Sequence, residues 1–284
     1  MTYDMVLIDD PAPQVRRITM NRPEKRNALN HTLRGEIVDA LQRADMDDDI
    51  KVMILCGNGP SFSAGYDLQA GGYGDGSSIP GFTAPGEGAW PRHVTDAWMS
   101  IWDLSKPVIA QVHGYCLAGG SELATGCDLV YMADDAQMGY PAVRFGVPDM
   151  HFHPWLVGMR KAMEMYLTGD SINGIEATEL GWATGHFPAD NLAEEVLAMA
   201  ERISRLPLEL IRLHKRAVHR QMEVMGLRTG IRAGTELCAL GTHTEALKDF
   251  MARAGADVTS ALNRRDAGYG DYRTAGRAGN GDPS

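Results

Sequence analysis

An α/β fold is what this sequence predicts, and three observations carry the prediction. Apolar, β-branched runs lead twice into glycine turns, at Val52–Leu55 before Ser61–Asp67 and at Val108–Val112 before Gly119-Gly120. From Asn191 to Ala254 the periodicity is almost wholly helical, broken near Pro207 and Gly226. With 284 residues and 44% hydrophobic composition, the chain can fill one large core, or a core with a helical appendage. Strand–helix units giving way to helices fit an α/β core with an α-helical C-terminal segment.

Taken in order, Met5–Ile8 and Val15–Met20, split by Asp9-Asp10-Pro11-Ala12-Pro13, read as paired strands. Thr32–Ala44 places Leu33, Ile37, Val38 and Leu41 at helix spacing, and Val52–Cys56 is the next strand. The glycine-rich stretch from Gly71 to Gly88 reads as a mobile loop, either plain surface or a substrate lid. Trp90–Leu104 is a helix with Val94, Trp98 and Ile101 on one face, its tryptophans assigned to the core. Leu129–Ala133 is a strand and Trp155–Tyr166 a helix. Periodicity is lost after Ala254. The division expected is therefore a core over residues 1–190, a helical segment over 191–254 and a poorly ordered tail, or an arm onto a neighbouring subunit, over 255–284.

Charge and cysteine usage narrow the function classes. A formal net charge of −10 argues against nucleic acid as the main partner, while leaving room for a local basic patch that meets a phosphate-rich ligand. Cys56, Cys116, Cys127 and Cys238 form no CxxC pair and suit a reducing cytosol better than a disulfide framework. No apolar run is long enough to span a bilayer, and MTYDMVLIDD lacks the basic start of a secretory signal. A cytoplasmic protein without a membrane partner is expected.

The chemistry concentrates in Lys106–Asp128, KPVIAQVHGYCLAGGSELATGCD. Gly119-Gly120 opens a helix, and a helix start exposes N–H groups that have no intrahelical acceptor. Such a start can hold a developing oxyanion, with Glu122 placed beside it to handle a proton. The alternative is a buried helix that needs glycine for close packing, with Glu122 complementing its dipole. A second glycine turn, Ser61-Phe62-Ser63-Ala64-Gly65-Tyr66-Asp67, also lets a ligand approach backbone, and Asp67 can cap the turn or the helix after it. Two such turns could place two N–H groups on one carbonyl oxygen.

Four motifs then occur in one order: Asn21-Arg22-Pro23 with Asn27-Ala28-Leu29; SFSAGYDL; KPVIAQVHGYCLAGGSELATGCD; and Leu167-Thr168-Gly169-Asp170 with Ala177 and Gly181. In this the chain resembles the crotonase family, the enoyl-CoA hydratase/isomerase superfamily, from about Met5 to about Ala254. The resemblance implies a ββα spiral core, C-terminal helices that mediate homotrimers or dimers of trimers, and stabilisation of a thioester enolate. It implies that the N–H groups of Tyr66 and Gly119 form the oxyanion hole and that Glu122 is the principal acid/base. Coenzyme A, as part of the substrate and with no further cofactor, would lie along Lys25, Arg26, Ala28, Ser63, Ala64, Gly65, Asp67 and Leu68. Lys25 and Arg26 could meet its phosphates or be solvated turn charges.

The pattern breaks at one decisive place. Hydratases of the family use two glutamates, and the second position here is Ala142, which can do no proton chemistry. Further on, Gly146-Val147-Pro148-Asp149-Met150-His151-Phe152-His153 has lost a glycine pair. Asp149 falls near a position where some family isomerases keep a catalytic aspartate; alternatively it caps the following helix. His151 and His153 could be surface groups or join the proton chemistry; an H-x-H pair without an evident third ligand gives no metal site. Enoyl-CoA hydratase is the reading chosen. The alternatives are a double-bond isomerase, a β-diketone C–C hydrolase and a non-catalytic acyl-CoA-binding protein.

Overall fold

A computed structural model describes residues 2–68 and 89–269, the side chains of 89–93 excepted. The expected loop over 71–88 lies outside the described residues. β1 (Val6–Ala12) and β2 (Val15–Met20) run antiparallel as the sequence predicts. β1 continues through Asp9–Ala12, where the acidic proline segment predicted a break. An edge position, with the register shifting between Asp9 and Ala12, tolerates Pro11. α1 (His31–Met46) starts where the Asn30 side chain accepts from the Leu33 N–H, and it buries Leu33, Ile37 and Leu41.

The core continues through β3 (Val52–Gly57), α2 (Ala89–Asp103), β4 (Val108–Val112), β5 (Tyr115–Leu117) and α3 (Gly119–Gly126). It is completed by β6 (Leu129–Ala133), β7 (Gln137–Gly139), α4 (His153–Thr168), α5 (Gly174–Leu180) and β8 (Gly185–Phe187). One sheet of six strands has the order β1-β2-β3-β4-β6-β8 and is parallel beyond its β1 edge. Covered on both faces, its central strands are nearly continuous in apolar residues; Val52–Cys56 is wholly buried.

After a short turn, β4 and β6 each lead into a second strand, β5 and β7, and these pair in parallel outside the large sheet. Bridges Leu29–Tyr66, Ser63–Cys116 and Met138–Ile172 extend that second layer. Successive strand–turn–strand units thus stack one on the next, which is the spiral that the resemblance implies.

The predicted helical segment is α6 (Ala189–Ser204), α7 (Leu208–Val224), α8 (Leu227–Gly241) and α9 (Glu245–Ala256). Its breaks fall where the sequence places them, at Pro207 before α7 and at Gly226 (φ +91°) before α8. The expected poorly ordered tail is corrected over its first part: α10 (Val258–Asp266) comes directly after α9, capped by Asp257, whose carboxylate accepts from the Ser260 N–H. Residues 270–284 lie outside the described residues. No described helix is long and apolar enough to cross a membrane.

Candidate active site

The two glycine turns meet. Gly65, at φ +101°, lays its chain against Leu117–Gly119: a Cβ there would stand 2.8 Å from the Leu117 carbonyl oxygen and 3.5 Å from the Gly119 nitrogen. Gly119 opens α3, so no carbonyl within the helix accepts from its N–H. Before it, Ala118 has φ +48°, a region that residues with a Cβ seldom occupy. Its N–H donates to Gly139 O at 2.8 Å, and its carbonyl accepts from Glu122 N at 3.1 Å and Ser121 Oγ at 2.7 Å. Those bonds hold the strained residue that aims the helix start.

Glu122 and Asp149 share one buried cluster. Glu122 is fully buried; its Oε2 accepts from the Tyr66 hydroxyl at 2.6 Å and its Oε1 from the Met150 N–H at 3.0 Å. The Trp98 indole N–H donates to the Tyr66 oxygen at 3.0 Å. Asp149 accepts from the Tyr140 hydroxyl at 3.2 Å and from the Cys238 thiol at 3.3 Å. Tyr140 also lies close enough to Glu122 to oppose the rise in its pKa, so its hydroxyl stands near both carboxyls. Burial, reinforced by the neighbouring Asp149, pushes Glu122 up to about 8. Burial raises Asp149 to about 6, against the opposing hydrogen bonds of Cys238 and Tyr140 and the charge of Arg34. Burial, with these two carboxyls nearby, also holds the Tyr66 and Tyr140 phenols well above 10, so both remain donors.

Asp149 therefore does not cap α4, whose first residue comes after Phe152 without a side-chain cap. Nor are the histidines surface groups. His153 is fully buried, its Nδ1 2.8 Å from the Tyr166 hydroxyl, and burial lowers it to about 3, a neutral ring. His151 packs onto α8 at Gly234, where a Cβ would collide with its ring. Among the described residues no group of three His, Cys, Asp or Glu side chains could hold a metal ion.

A cavity of about 750 Å³ opens beside this cluster. Of the residues expected along coenzyme A, Lys25, Arg26, Ala28, Ala64, Asp67 and Leu68 reach its wall; Ser63 and Gly65 do not. The Ser63 hydroxyl donates to Asn27 O at 2.8 Å and accepts from the Gly65 N–H at 3.2 Å, so it shapes the turn instead. Asp67 is engaged by Arg22 at 2.6 Å, an internal ion pair that ties the Asn21–Pro23 turn to the second glycine turn. Tyr66, Tyr140, Asp149, Cys238 and Ala142 line the cavity, whereas Glu122 and Gly119 lie behind it.

Sequence reasoning missed two of the carboxyls' partners, Tyr140 and Cys238, and it missed Trp98, which donates to the Tyr66 hydroxyl. It also missed the outer wall, formed by Leu247 of α9 and by Val258, Leu262 and Arg265 of α10. Arg144 fastens that wall: its guanidinium bonds Asp170 at 2.9 Å, Asp266 at 2.8 Å and the Thr168 carbonyl at 2.8 Å. Next to it, Phe145 stacks on Phe250 of α9 with ring centroids 3.8 Å apart.

Comparison with known proteins adds the chemistry's context. Residues 12–269 match the family described as enoyl-CoA hydratase/isomerase. A probable enoyl-CoA hydratase of Mycobacterium leprae is 36% identical over 227 residues, covering 78% of this chain and 84% of that one. One from Rhizobium meliloti is 34% identical over 264 residues, 90% of this chain and 98% of its own. The crystal structure of an enoyl-CoA hydratase from Mycobacterium smegmatis superposes with a TM-score of 0.84 at 30% identity, covering 95% and 96% of the two chains.

Proposed function

The chain belongs to the enoyl-CoA hydratase/isomerase family, and from that premise we propose that it hydrates the double bond of a 2-enoyl-CoA thioester. The observation that carries this reading is the placement of two buried carboxyls, Glu122 and Asp149, at one cavity beside Tyr66 and Tyr140, both raised by burial above the ordinary carboxyl range. Hydration needs one carboxyl that is neutral and one that is ionised at neutral pH, and environment sets which is which. Asp149, on the cavity wall and the more acidic of the two, takes a proton from water as its oxygen bonds the β-carbon. Glu122, neutral, is the source of the proton for the α-carbon. Asp149 thereby does the work that Ala142 cannot. Tyr140, which donates to Asp149 and lies beside Glu122, offers the path by which the pair resets its proton.

The thioester oxygen is held by the N–H of Tyr66, on the cavity wall, and by the N–H of Gly119, which follows directly on Ala118 of that wall; the contact of Gly65 with Leu117–Gly119 brings the two together. Lys25 and Arg26 meet the phosphates of coenzyme A, which is part of the substrate; no further cofactor is called on. Apolar side chains left exposed on α4 (Met159, Met163, Leu167), α7 (Leu210, Leu213) and α8 (Leu237, Leu240) support assembly into a homotrimer or a dimer of trimers. Four buried, unpaired cysteines suit a cytoplasmic setting.

The test is incubation with crotonyl-CoA and larger 2-enoyl-CoA esters, following loss of the conjugated thioester absorbance and identifying the product. Water addition is expected. A shifted double bond in place of a hydroxyl would move the reading to isomerisation, and an unchanged panel would end it. Sedimentation of a stable monomer at micromolar concentration would end the assembly proposal.

A further inference from the structure

Glu122 has no place on the cavity wall, yet a proton must pass between it and the substrate. We propose that the phenol of Tyr66 is the relay that carries this proton. The proposal rests on the hydration reading above and goes beyond it by adding a residue to the reaction.

The geometry supplies each link. Tyr66 lines the cavity and Glu122 does not. The phenol oxygen lies 2.6 Å from Glu122 Oε2, close enough for a proton to pass directly between them. The Trp98 indole fixes that oxygen from another direction at 3.0 Å. The ring rests on α3, where a Cβ on Gly119 would come within 2.6 Å of it, so glycine is what lets it sit there. Position 66 thus serves twice: its N–H has the oxyanion role of the proposed function, and its hydroxyl meets Glu122.

In the step itself, the Tyr66 O–H bond breaks as the α-carbon–hydrogen bond forms. The Glu122 O–H bond breaks as Tyr66 recovers a proton. Glu122 ends as a carboxylate with the Tyr66 hydroxyl 2.6 Å and the Met150 nitrogen 3.0 Å from its oxygens, two donors that hold the charge. No oxidant, reductant or further reactant enters. A phenol held neutral by burial suits a group that must never stay ionised.

The experiment is a double-mutant cycle of Tyr66→Phe and Glu122→Gln on enoyl-CoA hydration, with a proton inventory in mixed H2O and D2O. Phenylalanine keeps the ring and the backbone N–H and removes only the hydroxyl. If the relay holds, kcat falls about a hundredfold or more with KM little changed. Glu122→Gln then costs almost nothing further in the Tyr66→Phe background. The wild type shows two protons in flight and the Phe variant one. Full activity in Tyr66→Phe, or equal cost of Glu122→Gln in both backgrounds, overturns the relay while leaving Glu122 as acid. A wild type indifferent to Glu122→Gln overturns the hydration reading itself.

A merely positioning tyrosine gives the rate loss with an unchanged one-proton inventory, and that result also overturns the relay. If Tyr66→Phe fails to fold, 3-fluorotyrosine at position 66 replaces it, a stronger acid of nearly the same shape. A several-fold change in rate then supports the relay, and an unchanged rate rejects it.

Discussion

The two walls of the cavity are built by different rules. The inner wall comes from residues 64–68, 115–118 and 140–149, fixed to the sheet by backbone bonds, by Gly65 at φ +101° and by Ala118 at φ +48°. The outer wall comes from α9 and α10, fastened by the Arg144 clamp and the Phe145–Phe250 stack. A displacement of an ångström at the inner wall would misplace the proposed oxyanion donors and the carboxyls. The outer wall has only to cover the ligand. The inner wall should thus govern turnover and the outer wall should govern binding, a division that substitutions can break.

The largest effects are expected on the inner side. Glu122→Gln keeps the shape and removes the titratable proton, so kcat should fall by roughly two to four decades with KM nearly unchanged. Gly119→Ala comes next. Its Cβ would meet the Tyr66 ring at 2.6 Å, so the ring or the helix start must move. A loss of about two to three decades in kcat is expected, the usual worth of one oxyanion donor. Steady-state kinetics on enoyl-CoA esters check both. A loss confined to KM in either variant would break the division.

Legibility divides along the same line. The α/β character of the core, the breaks at Pro207 and Gly226 and the placement of Glu122 behind a glycine-opened helix can all be read locally, because each depends on periodicity or turn chemistry within a few residues; the spiral is implied only by the resemblance. That both glycine turns come together can be read only through the resemblance. Trp98 is on the buried face that its spacing predicts, but which hydroxyl its indole reaches depends on a contact 32 residues away. Cys238 reads as a small core residue and is one, yet it bonds Asp149 across 89 residues. Asp67 and Ser63 have polar groups that look available in sequence and are consumed by Arg22, Asn27 and Gly65. α10 has weak apolar periodicity because it packs on α9 and the cavity wall through only Val258, Ala261 and Leu262, so its sequence resembles a tail.

The outer wall should give smaller changes, and in KM. Leu262→Asp places a carboxylate on the wall of the cavity proposed to receive the phosphates of coenzyme A. KM should rise roughly tenfold, about 1.4 kcal/mol, with kcat held within a factor of about two. Loss of kcat on the scale of Glu122→Gln would show that α10 helps to place the reacting atoms, and the two walls would then be one device.

The smallest expected effect sharpens the comparison through stability. Glu122 keeps its proton in the folded chain up to about 8, against an ordinary value of 4.5. Between those values the unfolded chain has lost that proton while the folded one retains it, so this group's contribution to stability falls as pH rises through the window. Asp149 behaves likewise between 3.8 and about 6. Glutamine at position 122 carries no such cost. Glu122→Gln should therefore melt close to the wild type near pH 4.5 and above it by a few degrees near pH 8, the gap widening with pH. Leu262→Asp on the outer wall should show no such widening. Thermal melts of the ligand-free proteins at several pH values test this. A gap for Glu122→Gln that stays constant or narrows with pH would mean that the Tyr66 and Met150 donors outweigh burial and hold the Glu122 carboxyl ionised at neutral pH.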